Sequence, residues 1–286
     1  MSSNLIKAII NIVNNPIIDL SGCVRQTRGR IRVNNMGERL EEYIKDAFAG
    51  TISVSQEDTR NEMLRHCFSY MGNQNNPPDM IITQGDAIEV KKIEHAGSRL
   101  PLNSSYPKAK LFSNSSMITE ACRNCEPDWV EKDIIYAIGV LNENVISQIS
   151  FIYGTDYAAS KDTYERIADK ISAGVSSIPN IELAETRELG KVNRVDPLGI
   201  TSLRIRGMWQ IENPLSVFNY AYTPDDARMF NLMAIINIDK YRSFQNTSEL
   251  ESLAGRMENL SVDNVRIKSP DNPVVMKEAK LITFSL

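Results

Sequence analysis

The chain has 286 residues, 42% of them hydrophobic and 24% charged, the make-up of a folded globular protein with a substantial core and not of a disordered or low-complexity chain. Its net charge of -4 and pI near 5.4 exclude a chromatin-type binder that holds DNA by bulk positive charge, so any nucleic-acid contact must be local. Two histidines, His66 and His95, leave little room for mechanisms that need several. The four cysteines, Cys23, Cys67, Cys122 and Cys125, include a single Cys-x-x-Cys pair and read as reduced structural thiols, not as a zinc site.

Residues 5–13 form an apolar run too short to span a membrane and without a small-residue cleavage site. They read as an amphipathic core helix, so no membrane partner is expected and the protein is placed in the cytoplasm. Residues 23–34 follow as a polar arm with Arg25, Arg28, Arg30 and Arg32 and no acid. Arg28 and Arg30 become candidates for phosphate contact, against the plainer reading of a solvated loop. Asn35 with Glu38 makes a capping box and Gly50 supplies a stop, which predicts a helix over residues 36–49 with the apolar stripe Met36, Leu40, Tyr43, Ile44 and Phe48.

Two short β-forming runs, 80–83 and 87–90, flank Gln84-Gly85-Asp86 in the pattern of a hairpin. Side chains alternate along a strand, so Glu89 and Lys91 share one face while Ile88 and Val90 turn to the core. With a three-residue loop, Thr83 pairs with Ala87, Ile81 with Glu89 and Asp79 with Lys91, and Asp79 joins the face of Glu89 and Lys91. A two-residue loop would put Asp79 on the other face. In the first register two carboxylates converge on one hard cation, which polarises a phosphate and lowers the pKa of a bound water, while the lysine beside them orients that water. The plainer reading of the trio is an edge hairpin with solvated charges.

Residues 102–110 combine Asn103, Ser104, Ser105 and Lys108 with a second lysine, which suits a loop against a phosphate backbone; a surface turn is the alternative. A helix is predicted between 108 and 124. Residues 133–141, an almost unbroken apolar run, and 146–153 read as buried strands. Helical spacing returns over 160–176 through Tyr164, Ile167, Ile171 and Val175 with Ser160 as cap, and Ser248 with Glu251 opens another helix towards Met257. Residues 187–210 hold five bases against Glu188 and Asp196. Arg204 and Arg206 there share a face if the segment is a strand, and either face a nucleic acid or pair with Glu185 and Glu188.

Asp79, followed ten residues later by Glu89-Val90-Lys91, resembles the signature of the PD-(D/E)xK nucleases. Together with Asn75-Asn76-Pro77-Pro78-Asp79, Asp86-Ala87-Ile88-Glu89-Val90-Lys91-Lys92, Leu102-Asn103-Ser104-Ser105-Tyr106-Pro107-Lys108 and Val195-Asp196-Pro197-Leu198-Gly199-Ile200-Thr201-Ser202-Leu203-Arg204, it resembles the NgoPII-type family of type II restriction endonucleases, which cut at GGCC. The resemblance covers most of the chain.

That resemblance implies an α/β fold with a PD-(D/E)xK restriction-endonuclease-like core, a mixed central sheet flanked by helices, over residues 35–155. An N-terminal helix and basic arm (1–34) would precede it, and a C-terminal region (156–286) would complete the fold and contribute DNA recognition. It implies Mg2+ as cofactor, held by Asp79, Glu89 and the Val90 carbonyl, with Lys91 positioning or activating the attacking water. A supporting carboxylate belongs on helix 36–49, where Glu41 in the pattern Gly37-x-x-Leu40-Glu41 competes with Glu38 and Glu42. The implied reaction cuts both strands of double-stranded DNA at a short palindrome, leaving 5′-phosphate and 3′-hydroxyl ends, in a bacterial cytoplasm where a cognate DNA methyltransferase protects the same site. A palindrome presents the same base edges twice, so a two-fold homodimer is expected. Arg194, Arg204, Arg206 and Gln210 are the candidates to enter the major groove, where arginine meets guanine O6 and N7. The rival readings are a structure-selective repair or recombination nuclease and a DNA-binding module without catalysis.

Overall fold

The apolar runs set the architecture, because a strand hydrophobic along its whole length must be covered on both faces. A computed structural model describes residues 3–23, 36–73, 76–186 and 188–286. Its strands, in chain order, are β1 (Phe68–Asn73), β2 (Asn76–Ile82), β3 (Ala87–Ile93), β4 (Leu100–Asn103), β5 (Lys110–Phe112), β6 (Glu131–Asn142), β7 (Val145–Tyr153), β8 (Glu182–Leu183), β9 (Gly190–Asn193), β10 (Leu203–Ile205), β11 (Trp209–Ile211), β12 (Asn231–Asn237), β13 (Leu260–Lys268) and β14 (Met276–Ser285). The helices are α1 (Leu5–Asn14), α2 (Met36–Ala49), α3 (Glu57–Cys67), α4 (Glu120–Arg123), α5 (Gly154–Tyr157), α6 (Lys161–Ser176), α7 (Pro214–Val217), α8 (Ile238–Ser243) and α9 (Thr247–Ala254).

The central sheet is mixed, in the order β1-β2-β3-β6-β7-β12-β14-β13, with β5 added beside β6. β3 runs parallel to β6 and β12 parallel to β7, while the other neighbours are antiparallel. Period-2 alternation divides the side chains between two cores. Met80, Ile82, Ile88, Ile135 and Phe151 point to the face covered by α1, α2 and α9. Ile81, Ala87, Ile134 and Tyr136 point to the other, where Leu100, Leu111, Tyr157 and Phe218 pack. Seven of the ten residues of α1 are buried, and Asn4 caps it by accepting from the Lys7 N–H at 3.0 Å. Outside the sheet, β11 pairs with β4, and β8 to β10 make a small three-stranded sheet near α6.

Several expectations shift. Arg28, Arg30 and Asn35, and with Asn35 the capping box, lie outside the described residues, although α2 spans the predicted 36–49 and buries Leu40, Tyr43, Ile44 and Phe48. The helix predicted between 108 and 124 is reduced to the four residues of α4. The segment instead pairs Lys110–Phe112 with β6, and Arg123 holds the Ser113 and Ser115 carbonyls at 2.8 and 3.0 Å, so tertiary bonds outweigh local helical spacing. The helix expected at Ser248–Met257 starts at Thr247 and stops at Ala254. α6 matches its expected span but leaves Ile167 and Ile171 exposed, and Ser160 makes no side-chain cap bond.

Gly154 opens α5 directly beneath the 108–109 backbone, and a Cβ there would collide with the Lys108 and Ala109 carbonyls and lie 2.6 Å from the Ile134 side chain. Gly154→Ala is therefore expected to cost about 1–3 kcal/mol of stability, the usual penalty of overpacking. A thermal melt checks this, and an unchanged midpoint would show that the 108–109 loop yields freely.

Candidate active site

The β2–β3 hairpin closes one step from where its sequence suggests. Ile82 N–H donates to the Asp86 carbonyl at 3.0 Å and Gly85 N–H to the Ile82 carbonyl at 2.8 Å, so the loop is Thr83-Gln84-Gly85, with Gln84 at φ 55. The ladder pairs Met80 with Ile88 and Ile81 with Ala87, two residues away from the expected Thr83–Ala87 and Ile81–Glu89 register. The cause is Thr83, whose N–H bonds to the Cys67 carbonyl at 2.9 Å and whose hydroxyl bonds to that of His66 at 3.2 Å. A two-residue displacement keeps parity. Continued outward, it sets Asp79 directly opposite Glu89, closer than the diagonal placement the sequence suggested, and keeps Lys91 on the same face.

The two carboxylates have different surroundings. Glu89 is buried; its Oε1 accepts from Lys91 Nζ at 2.6 Å, while its Oε2 is buried and has no hydrogen-bond partner. Asp79 Oδ2 accepts the Val90 N–H at 2.6 Å. Burial, then the charge of Glu89, holds the Asp79 carboxyl well above the usual carboxylate range, against the pull of Lys91 and the Val90 N–H. Burial opposes the charge on Lys91, yet Glu89 and Asp79 keep its pKa above the ordinary lysine value.

Glu41 on α2 also acts on this site, raising the pKa of both Asp79 and Lys91 by its charge. Lys45 holds Glu41 at 2.7 Å and Glu42 at 2.9 Å, and the buried Arg60 ties Glu42 (2.7 Å) to Asp46 (2.6 Å). Glu42 is thus committed to the Arg60 side. The Glu41–Lys45 spacing of four on a helix was readable in the sequence; Arg60 gave no signal there. Among the described residues no three His, Cys, Asp or Glu form a ready-made metal cage. What they offer is a pair of hard oxygens with one buried oxygen unpartnered, a donor set that fits a magnesium-like cation completed by water.

Lys108, expected at a phosphate-facing loop, is buried on the Glu89 side. Its N–H donates to the Tyr136 hydroxyl at 2.7 Å and its amine contacts Ser105, and burial pushes its pKa down to about 8. Asn103 and Ser104 are exposed, Asn103 at φ 51. A groove of about 960 Å³ runs from Ser105 and Lys108 to Trp209, Glu188 and Leu189. Arg204 and Arg206 both pair with Glu188, at 2.8 and 2.5 Å, as one of the two readings expected; Arg194 faces Glu182 at 3.4 Å, and Gln210 is exposed on β11.

Over residues 3–268 the chain matches the family model described as NgoPII restriction endonuclease. The chain belongs to that family. It is 47% identical over 286 residues to the type II restriction enzyme NgoPII of Neisseria gonorrhoeae, a match that covers 99% of this chain and 100% of that one. Membership makes it a type II restriction endonuclease, a site-specific deoxyribonuclease, and puts the β2–β3 hairpin within the matched region. No solved structure matches the chain. No described helix is long and apolar enough to cross a membrane.

The raised pKa of Asp79 has a sign. An acid that ionises later in the fold than in the unfolded chain contributes nothing below its unfolded pKa and destabilises increasingly as pH rises above it. Metal-free Asp79→Asn is therefore expected to melt above the wild type at pH 7, with the difference vanishing near pH 4. Added Mg2+ should raise the wild-type midpoint and leave that of the variant unchanged. Melting curves at both pH values with and without Mg2+ check this; a variant no more stable at neutral pH contradicts the buried-carboxylate geometry.

Proposed function

We propose that this restriction endonuclease is a PD-(D/E)xK enzyme that uses Mg2+ to cut both strands of duplex DNA at the palindrome GGCC, leaving 5′-phosphate and 3′-hydroxyl ends. The observation that carries the reading is the Asp79–Glu89 pair on adjacent strands, with Lys91 Nζ 2.6 Å from one Glu89 oxygen and the other oxygen buried without a partner. Asp79, Glu89 and the Val90 carbonyl would hold the cation, and Glu41 would complete the site from α2. The bound cation supplies polarisation of the scissile phosphate and of the attacking water. Lys91 keeps one donor on Glu89 and turns the others to that water and to a non-bridging phosphate oxygen, which stabilises the charge that grows there. The water oxygen bonds to phosphorus, the bond from phosphorus to the 3′ oxygen breaks, and that oxygen leaves with a proton.

The DNA contacts divide by position. Ser105 and Lys108 at one end of the groove, with Asn103, Ser104 and the arm residues Arg28 and Arg30, hold phosphates; Arg194, Arg204, Arg206 and Gln210, in the 156–286 region, reach base edges. The enzyme works as a homodimer with one site per strand in the bacterial cytoplasm, beside a methyltransferase that modifies the same sequence. Digesting plasmid with and without Mg2+ and sequencing the ends tests the reading: discrete fragments ending within GGCC only when Mg2+ is present support it, and random or metal-independent cutting refutes it.

Lys91→Ala is expected to lower the cleavage rate about 10²–10³-fold with DNA binding nearly intact, the usual cost of losing one preorganised charge. Lys92, paired with Glu94 at 3.0 Å on the opposite face, should tolerate the same change, and equal single-turnover losses would overturn the assignment. Arg204→Ala and Arg206→Ala should each cost about 1–3 kcal/mol on the cognate site and relax discrimination at one base pair. Uniform weakening on cognate and mismatched duplexes, with a flatter salt dependence, would reassign both to phosphates.

A further inference from the structure

The lobe of α6 and β8 to β10 ends in a loop, residues 194–201, that holds two branched apolar side chains in water. Leu198 is 82% exposed and Ile200 80%. The loop is well braced. The Asp196 carboxylate accepts from the Leu198 N–H at 3.0 Å and the Thr201 N–H at 2.7 Å. Val195 N–H donates to the Thr201 carbonyl at 3.0 Å and Gly199 N–H to that of Asp196 at 2.8 Å. Arg194 at φ 49 and Gly199 at φ 70 make the bends, and Pro197 has its own φ fixed by its ring. Leu198 is therefore presented on a tip whose backbone is already ordered, so little further ordering cost falls on a binding event.

The surroundings of the tip point to the partner. Residues 190–206 carry Lys191, Arg194, Arg204 and Arg206; Glu188 holds Arg204 and Arg206, Glu182 lies 3.4 Å from the exposed Arg194, and Asp196 is spent on the loop, so Lys191 and Arg194 are the cations left open to an outside anion. Lys191 lies directly opposite Arg204 across the β9–β10 ladder, a like-charge pair that Glu188 relieves on the Arg204 side only. Duplex DNA, on which a type II restriction endonuclease acts, offers phosphates to Lys191 and Arg194 and base steps to the apolar tip. The base of the lobe, Glu188 and Leu189, and the catalytic-side residues Ser105 and Lys108 line one groove, so the lobe and the active site border the same surface.

We propose that the 194–201 loop is an apolar wedge, with Leu198 at its point and Ile200 beside it, that enters a base step of duplex DNA and partly unstacks it while Lys191 and Arg194 hold the flanking phosphates. The proposal rests on the cleavage reading above and adds to it a deformation of the DNA. Inserted leucines and isoleucines kink duplexes in this way, and the energy of the kink depends on the step, so the wedge would contribute to site selection without a base hydrogen bond.

The test uses the full-length enzyme, without metal, on a duplex carrying the site mapped by digestion, with 2-aminopurine placed at successive purine positions in and around it. Wild-type enzyme should brighten the probe severalfold at one step. Leu198→Ala, which touches an exposed side chain, should fold normally by thermal melt, lose the brightening and bind about 10-fold more weakly, while Leu198→Met should keep both properties. Wild-type enzyme that cuts discretely but brightens no position overturns the wedge alone. So does Leu198→Ala that brightens and binds as wild type, or one whose only change is a shift from dimer to monomer in sedimentation. Wild-type enzyme that neither binds nor cuts DNA with Mg2+ overturns the cleavage reading and the wedge with it.

Discussion

Two carboxylates are forced side by side in a place where water reaches them poorly, and the rest of the site answers that constraint. Two like charges about 5 Å apart repel by about 3 kcal/mol at an effective dielectric near 20. A hydrogen bond to a charged group returns about 1.5–3 kcal/mol. The Lys91 ammonium on Glu89 and the Val90 N–H on Asp79 are two such bonds, so the pair is close to balance without being neutralised. The remainder appears as the raised pKa of Asp79 and as the unpartnered oxygen of Glu89. The Mg2+ proposed for this site would resolve both at once, because it would take up oxygens that the protein leaves short of positive charge.

The scaffold keeps the pair from relaxing apart. The Met80–Ile88 and Ile81–Ala87 ladder and the Val90 N–H bond to the Asp79 carboxylate hold Asp79 beside β3, the parallel pairing with β6 fixes β3 in the sheet, and the hairpin is tied down at Asp86. Asp86 accepts from Tyr153 at 2.7 Å and from Lys240 at 2.7 Å, and Lys240 also reaches Asp133 at 2.7 Å. From the helical side, Arg60 holds Glu42 and Asp46 and Lys45 holds Glu41 and Glu42, and the charge of Glu41 reaches Asp79 and Lys91. Each of these groups is buried or half-buried, so removing one partner would leave an uncompensated charge, at a typical cost of about 3–5 kcal/mol.

Much of this was legible in the sequence, for identifiable reasons. α1, α2, β6 and β7 followed from apolar periodicity and from runs long enough to need burial, and the shared face of Glu89 and Lys91 followed from the parity of a strand, which Asp79 joined only in one of the two hairpin registers the sequence left open. The register did not, because the bonds of Thr83 to Cys67 and His66 move the loop by one residue and come from an element that local sequence does not announce. The missing helix before residue 124 failed for a related reason: Arg123 and the edge of β6 offer that backbone better partners than its own next turn. Lys108 looked like a surface cation and is buried, since its position depends on Tyr136 and on the bare backbone of Gly154. Arg60 and Lys240 were invisible because their partners lie 14 to 18 and 107 to 154 residues away along the chain.

The lysine that ties down the β2–β3 hairpin also sets a clock. Roughly 150 residues separate Glu89 from Lys240, and at about 5–20 residues per second a ribosome needs about 8–30 s to cover them. Until then the hairpin has neither its clamp on Asp86 nor β12 alongside β7 to finish that side of the sheet. A nascent chain therefore carries its carboxylates long before it carries the frame that holds them together. In a nuclease, a frame that is finished only by the late strands builds a delay between the synthesis of these residues and their assembly.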